Sequence, residues 1–161
     1  MIYTARNEAD TARLGAVLAT VLFPGSVVIL NGPLGAGKTR LVQSVAEGMG
    51  VPRSECVSPT FMLINEYHGQ LPIYHFDAYR VKDEDEFLEL GADEYFEGSG
   101  VTLVEWGERV ERCLPPERLE IRIEPSGESE RQFTFTAIGS RYADLLTRLQ
   151  AANEQSRSGP H

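Results

Sequence analysis

Leu30-Asn31-Gly32-Pro33-Leu34-Gly35-Ala36-Gly37-Lys38-Thr39 fits Gly-x4-Gly-Lys-[Ser/Thr], a loop that cradles phosphate. An apolar run, Ser26-Val27-Val28-Ile29-Leu30, leads in and reads as a buried strand. Behind the loop, Leu41, Val42, Val45, Ala46 and Met49 recur at helical spacing. Gly48 and Gly50 end that helix and Pro52 bars its return. The chemistry accounts for the residue types. Amides at a helix start are unpaired and carry partial positive charge, so they attract phosphate. Gly32, Gly35 and Gly37 let the loop curl close to an anion, with Pro33, Leu34 and Ala36 between them. Lys38 reaches the outer phosphates as a point charge, and the Thr39 hydroxyl is suited to Mg2+.

Working outward, residues 2–5 read as a short strand, and Asn7 caps the following helix with Asp10 in a capping-box position. Leu14, Val17, Leu18, Val21 and Leu22 give that helix one apolar face. Beyond the P-loop helix, Val57-Ser58-Pro59-Thr60-Phe61 is a polar loop held extended by proline. Residues 62–67 and 71–76 read as strands joined by a turn at His68-Gly69-Gln70. Asp83-Glu84-Asp85-Glu86 opens a short helix, anchored by Phe87, Leu88 and Leu90 and stopped by Gly91. Residues 101–104 form another buried strand. Residues 119–123 and 133–136 alternate apolar with polar and read as an antiparallel hairpin with one wet face. A last helix spans residues 142–149. The expected architecture is α/β: a P-loop NTPase-like three-layer fold whose central, mostly parallel sheet has an antiparallel fringe and flanking helices. One domain is expected over residues 1–152, with a polar, disordered tail at 153–161. No internal repeat is apparent.

At 161 residues and 42% hydrophobic composition the chain can bury a substantial core. No apolar run is long enough for a transmembrane helix, and the N-terminus has no basic segment before an apolar core. Cys56 and Cys113 are too few for a zinc site or disulfide framework, so a reduced, cytoplasmic setting is expected. A net charge of −9 disfavours broad non-specific binding to nucleic acid.

A P-loop alone only binds phosphate. Hydrolysis or transfer also needs a carboxylate for the metal and a group that orients the nucleophile. Asp77 and Glu105 each end an apolar strand, and ligands in such sheets sit outside the carboxyl ends of the strands. Both are therefore drawn to the P-loop edge. Thr60 lies where a segment sensing the γ-phosphate would lie. His75, alternating with Tyr74 and Phe76, reads as a core or structural histidine before a catalytic one. Arg80 is a phosphate-compensating or plain surface arginine, and Trp106 reads as packing. There is no Asn-Lys-x-Asp for guanine reading and no Asp-x-x-Gly after the second strand. Gly-x-Ser-x-Gly and His-Glu-x-x-His are also absent.

Gly32–Thr39, Ser58-Pro59-Thr60-Phe61, His75-Phe76-Asp77-Ala78-Tyr79-Arg80 and Glu105-Trp106-Gly107-Glu108, in this order, resemble the bacterial TsaE (YjeE) family. The resemblance covers residues 11–123. It implies a small ATPase that binds ATP and Mg2+ and acts with TsaD–TsaB in forming N6-threonylcarbamoyladenosine in tRNA. There TsaD transfers the group and the ATPase supports turnover, with tRNA met through the complex. It further implies that Lys38 and Thr39 hold phosphate and Mg2+ and that Glu105 helps hold the metal. Asp77 falls close to metal or attacking water. Residues 58–61 match a switch-like loop, and Thr11 falls near the adenine. Pro33, Ala78 and Gly107 depart from the family pattern where an acid, a leucine and a proline are usual. Two rival readings are a small-molecule kinase with Asp77 as base and a nucleotide-gated adaptor without turnover.

Overall fold

The computed structural model describes residues 1–56 and 63–158. Its seven strands are β1 (Ile2–Ala5), β2 (Val27–Asn31), β3 (Ile64–His68), β4 (Pro72–Asp77), β5 (Val101–Glu105), β6 (Arg118–Pro125) and β7 (Arg131–Ile138). They form one sheet in the order β1-β7-β6-β2-β5-β4-β3. The centre is parallel: β2 pairs with β5 and β6, and β4 with β5. Antiparallel pairs close both sides, β1 and β6 on β7 and β3 on β4. This is the expected mostly parallel sheet with an antiparallel fringe. The buried central strands are apolar on both faces, as a sheet covered twice requires.

The two faces are covered differently. β2 sends Val28 and Leu30 to one core and Val27 and Ile29 to the other. The larger core lies under α1 (Glu8–Val21), α2 (Lys38–Gly48) and α5 (Ser140–Ser158). The smaller one gathers Phe76, Val81, Phe87, Val104 and Val110 under α3 (Glu84–Glu89), α4 (Ala92–Glu97) and a kinked 3₁₀ segment, Gly107–Cys113. α1 begins as its sequence requires. The Asn7 side chain accepts from Asp10 N, and the Asp10 carboxylate accepts from Arg6 N. α1 and α2 lie so close that a Cβ on Gly15 would stand 2.3 Å from Ser44 Cβ. One on Gly48 would stand 2.9 Å from Ala19 Cβ.

Two α-helices differ from the sequence reading. Gly91 ends α3, but with φ +82 it also supplies the left-handed residue from which α4 starts. The last helix is the second difference: α5 continues through Ser158 instead of ending at Leu149, so residues 153–158 of the expected tail are helical, and residues 159–161 lie outside the described residues. Leu145, Leu149 and Asn153 follow one another at four-residue spacing and are all buried. A polar Asn at the third position hid the continuation of the buried stripe. Arg157, one turn further, lies 5.3 Å over the Tyr3 ring. Among the described residues no helix is long and apolar enough to cross a membrane.

Candidate functional site

β2 ends at Asn31 and the chain turns sharply. A Cβ on Gly32 (φ +146) would stand 2.2 Å from the Ile123 carbonyl oxygen of β6, so only glycine fits. The Pro33 carbonyl accepts from Ala36 N at 3.1 Å, which closes the loop. Gly35 and Gly37 both have positive φ, with nothing within 4 Å of a would-be Cβ. Gly37 starts α2 without any side-chain cap. The helix therefore opens towards the loop with unmatched amides, the arrangement that draws an anion.

Lys38 is 4% exposed. Its ammonium donates to the Gly32 and Pro33 carbonyls at 2.7 and 2.8 Å and lies 3.8 Å from the centre of the Trp106 ring. Burial lowers its pKa below the ordinary lysine value, while Glu105, Glu108 and Asp77 work against that shift. A buried cation whose hydrogen bonds go to neutral carbonyls is stabilised by an incoming polyanion. Trp106 is the one non-glycine residue with positive φ among the described residues, at +62. Its amide donates to Leu30 O at 2.8 Å, and its ring meets Tyr79 at 4.8 Å. The strained backbone sits directly after β5, beside the lysine.

The two acids are register partners on neighbouring strands, Asp77 opposite Glu105. Glu105 is 4% exposed. Both of its oxygens are 2.9 Å from the Thr39 hydroxyl, and Oε2 is also hydrogen-bonded to His75 Nε2. Asp77 is half-buried and held locally. It accepts from Tyr79 N at 3.1 Å and pairs with Arg80 at 3.7 Å. The sheet thus brings Gly32 to Thr39, Asp77 and Glu105 to one edge.

Cavities lie on both sides of the loop. One of about 330 Å³ is lined by Thr11, Gly37, Arg40, Ser129, Arg131 and Phe133. A second, about 230 Å³, lies between Lys38, Thr39, Arg40, Glu105 and Trp106. Thr11 is buried in the first, away from the acids. Thr60, with Ser58 and Phe61, lies outside the described residues. Arg40 was missed by sequence reasoning, although its place directly after Thr39 is a signal. Among the described residues its Nε is buried without a hydrogen-bond partner, which leaves a donor for an anion. Arg131 and Phe133 were missed because β7 reaches the loop only through long-range pairing.

The donor set fits a phosphate chain carrying a hard cation. Open amides, a buried ammonium and an unmatched guanidinium nitrogen lie at or beside the loop, and the Thr39 hydroxyl and Glu105 carboxylate supply oxygen ligands of the kind Mg2+ takes, with Asp77 on the neighbouring strand end. Gly107, one of the departures, has a physical reason: a Cβ there would stand 2.1 Å from Ile29 Cγ2.

Sheet order, loop and strand-ending acids define a three-layer α/β protein of the P-loop class. The family model described as threonylcarbamoyl adenosine biosynthesis protein TsaE matches residues 5–133, and the chain belongs to the TsaE family. The Bacillus subtilis tRNA threonylcarbamoyladenosine biosynthesis protein TsaE is 49% identical, over 89% of this chain and 89% of the relative. The Treponema pallidum protein of the same name is 43% identical, over 81% of this chain and 96% of its own length. The crystal structure of Bacillus subtilis YdiB superposes with a TM-score of 0.82 at 41% identity, covering 95% of both chains.

Proposed function

We propose that this chain binds and hydrolyses ATP as the ATPase component required for N6-threonylcarbamoyladenosine formation in tRNA, acting in the cytoplasm with TsaD–TsaB. The observation that carries the reading is the contact of the Thr39 hydroxyl with the buried Glu105 carboxylate, next to Lys38 at an uncapped helix start. The names of the TsaE relatives support the pathway. When bound, Mg-ATP supplies the phosphoanhydride bond and a divalent charge that offsets the phosphate oxygens.

The chain's own residues have distinct tasks. The amides at the start of α2 bind phosphate, and Lys38 exchanges its carbonyl partners for phosphate oxygens. Thr39 and Glu105 would hold Mg2+. Asp77, nearer solvent, orients the attacking water. Thr11, Arg40 and Phe133 line the cavity that takes the nucleoside. Turnover by the free chain is slow, and TsaD–TsaB raises it.

Reconstitution tests this reading. Mg-ATP hydrolysis is measured for the purified chain with and without TsaD–TsaB, together with the yield of modified tRNA. Stimulation and dependence of modification on the chain are expected. No stimulation with no effect on modification overturns the reading. Phosphate transfer only to an added hydroxyl compound would instead make the chain a kinase.

A further inference from the structure

His75 is 1% exposed and hydrogen-bonds through Nε2 to Glu105 Oε2. With the Glu105 carboxylate as acceptor, a neutral imidazole donates from Nε2 and leaves a lone pair on Nδ1. Among the described residues, that Nδ1 is buried without a hydrogen-bond partner. On the neighbouring strand, Asn65 is the register partner of His75, so both side chains stand on the same face of the sheet. Asn65 Nδ2 is likewise buried and unmatched. One group is an acceptor and the other a donor. A small rotation of the amide, or one bridging water, satisfies both together.

Glu105 has a use for such support. The Thr39 hydroxyl stands 2.9 Å from each of its two oxygens, so this contact does not select an orientation of the carboxylate. The histidine bond goes to Oε2 alone and breaks that symmetry. We infer that Asn65, His75 and Glu105 form a positioning relay. Asn65 fixes the tautomer of His75, and His75 fixes the carboxylate plane that faces Thr39. His75 touches neither nucleotide nor metal, and acts only through Glu105. The inference rests on the Mg-ATP reading above.

The test measures binding of a fluorescent ADP analogue to the full chain, once with Mg2+ and once with EDTA. Wild-type protein binds more tightly with Mg2+. His75→Leu loses about tenfold or more of that gain, while affinity in EDTA holds. His75→Gln retains most of it, because its amide nitrogen stands as many bonds from Cβ as Nε2 does. Asn65→Ala loses a smaller part. An independent readout uses the ligand-free protein. The chain has three histidines, and the imidazole ¹⁵N spectrum should show His75 protonated on Nε2 and bare on Nδ1, with the Nδ1 resonance moving in Asn65→Ala. This measurement stands even if His75→Leu does not fold. The relay is overturned if His75→Leu keeps the Mg2+ gain, if His75→Gln loses as much as His75→Leu, or if Nδ1 carries the proton. A wild-type chain with no Mg2+ gain overturns the ATPase reading and the relay together.

Discussion

Asp77 and Glu105 end neighbouring parallel strands at the same level of the sheet, yet they are held in opposite ways. Glu105 is buried and bound from two sides by other elements, Thr39 of α2 and His75 of β4. Asp77 is half-buried and bound by its own turn, through Tyr79 N and Arg80. A buried carboxylate with fixed donors suits a constant task such as holding a cation, because reorienting it would strand a charge away from water. A carboxylate on a local turn can change partners at small cost. On the ATPase reading proposed above, the metal side falls to Glu105 and the water side to Asp77.

Removing what both acids serve should have the largest effect. Lys38→Ala is expected to lower Mg-ATP hydrolysis in the TsaD–TsaB mixture by about a hundredfold or more, read as phosphate release. Near-normal turnover would break the comparison at its base. Next comes Glu105→Gln. It should weaken the Mg2+-dependent part of nucleotide affinity by about ten- to a hundredfold, measured by titration with and without EDTA. Asp77→Asn should leave that affinity within about twofold and lower kcat by roughly tenfold or more. If the two variants exchange these signatures, the assignment is reversed.

A third effect is stability at the Glu105 end. Gly107→Ala is expected to cost about 1–3 kcal/mol in a denaturant melt, because its methyl group meets Ile29. A neutral result would show that this end of β5 yields more readily than its packing implies. The smallest effect is spectroscopic. The chain has one tryptophan, and Trp106 lies under the Lys38 ammonium. Its emission should change when Mg-ADP draws the lysine away, and Lys38→Ala should abolish the change. Unaltered emission on saturation would mean that the lysine keeps its carbonyl partners.

What was legible in the sequence follows from what is local. The P-loop, its strand and helix, and the two acids at the ends of apolar runs depend on contiguous residues and could be read directly. The sheet's parallel centre and antiparallel fringe followed from alternation and turn spacing. His75 stayed ambiguous because its partner, Glu105, is thirty positions away. Arg131 and Phe133 were invisible because they reach the loop only when β7 pairs with β1 and β6. Helix α4 was hidden by Gly91, which is both stop and start, and the end of α5 by a buried asparagine. Pro33 reads differently with its neighbours in place. It lacks an N–H, but its carbonyl holds both Ala36 N and the Lys38 ammonium.

Gly15 and Gly48 remain. With no side chains between them, α1 and α2 mesh backbone against neighbour and can neither slide nor part without opening the larger core. The cavity beside Thr11 and the lysine and threonine that start α2 therefore ride on one rigid block. On the ATPase reading proposed above, that block is the fixed side of the site. On that same reading, travel that accompanies the gain or loss of a phosphate then falls outside that block and outside the buried Glu105, to the local turn that holds Asp77.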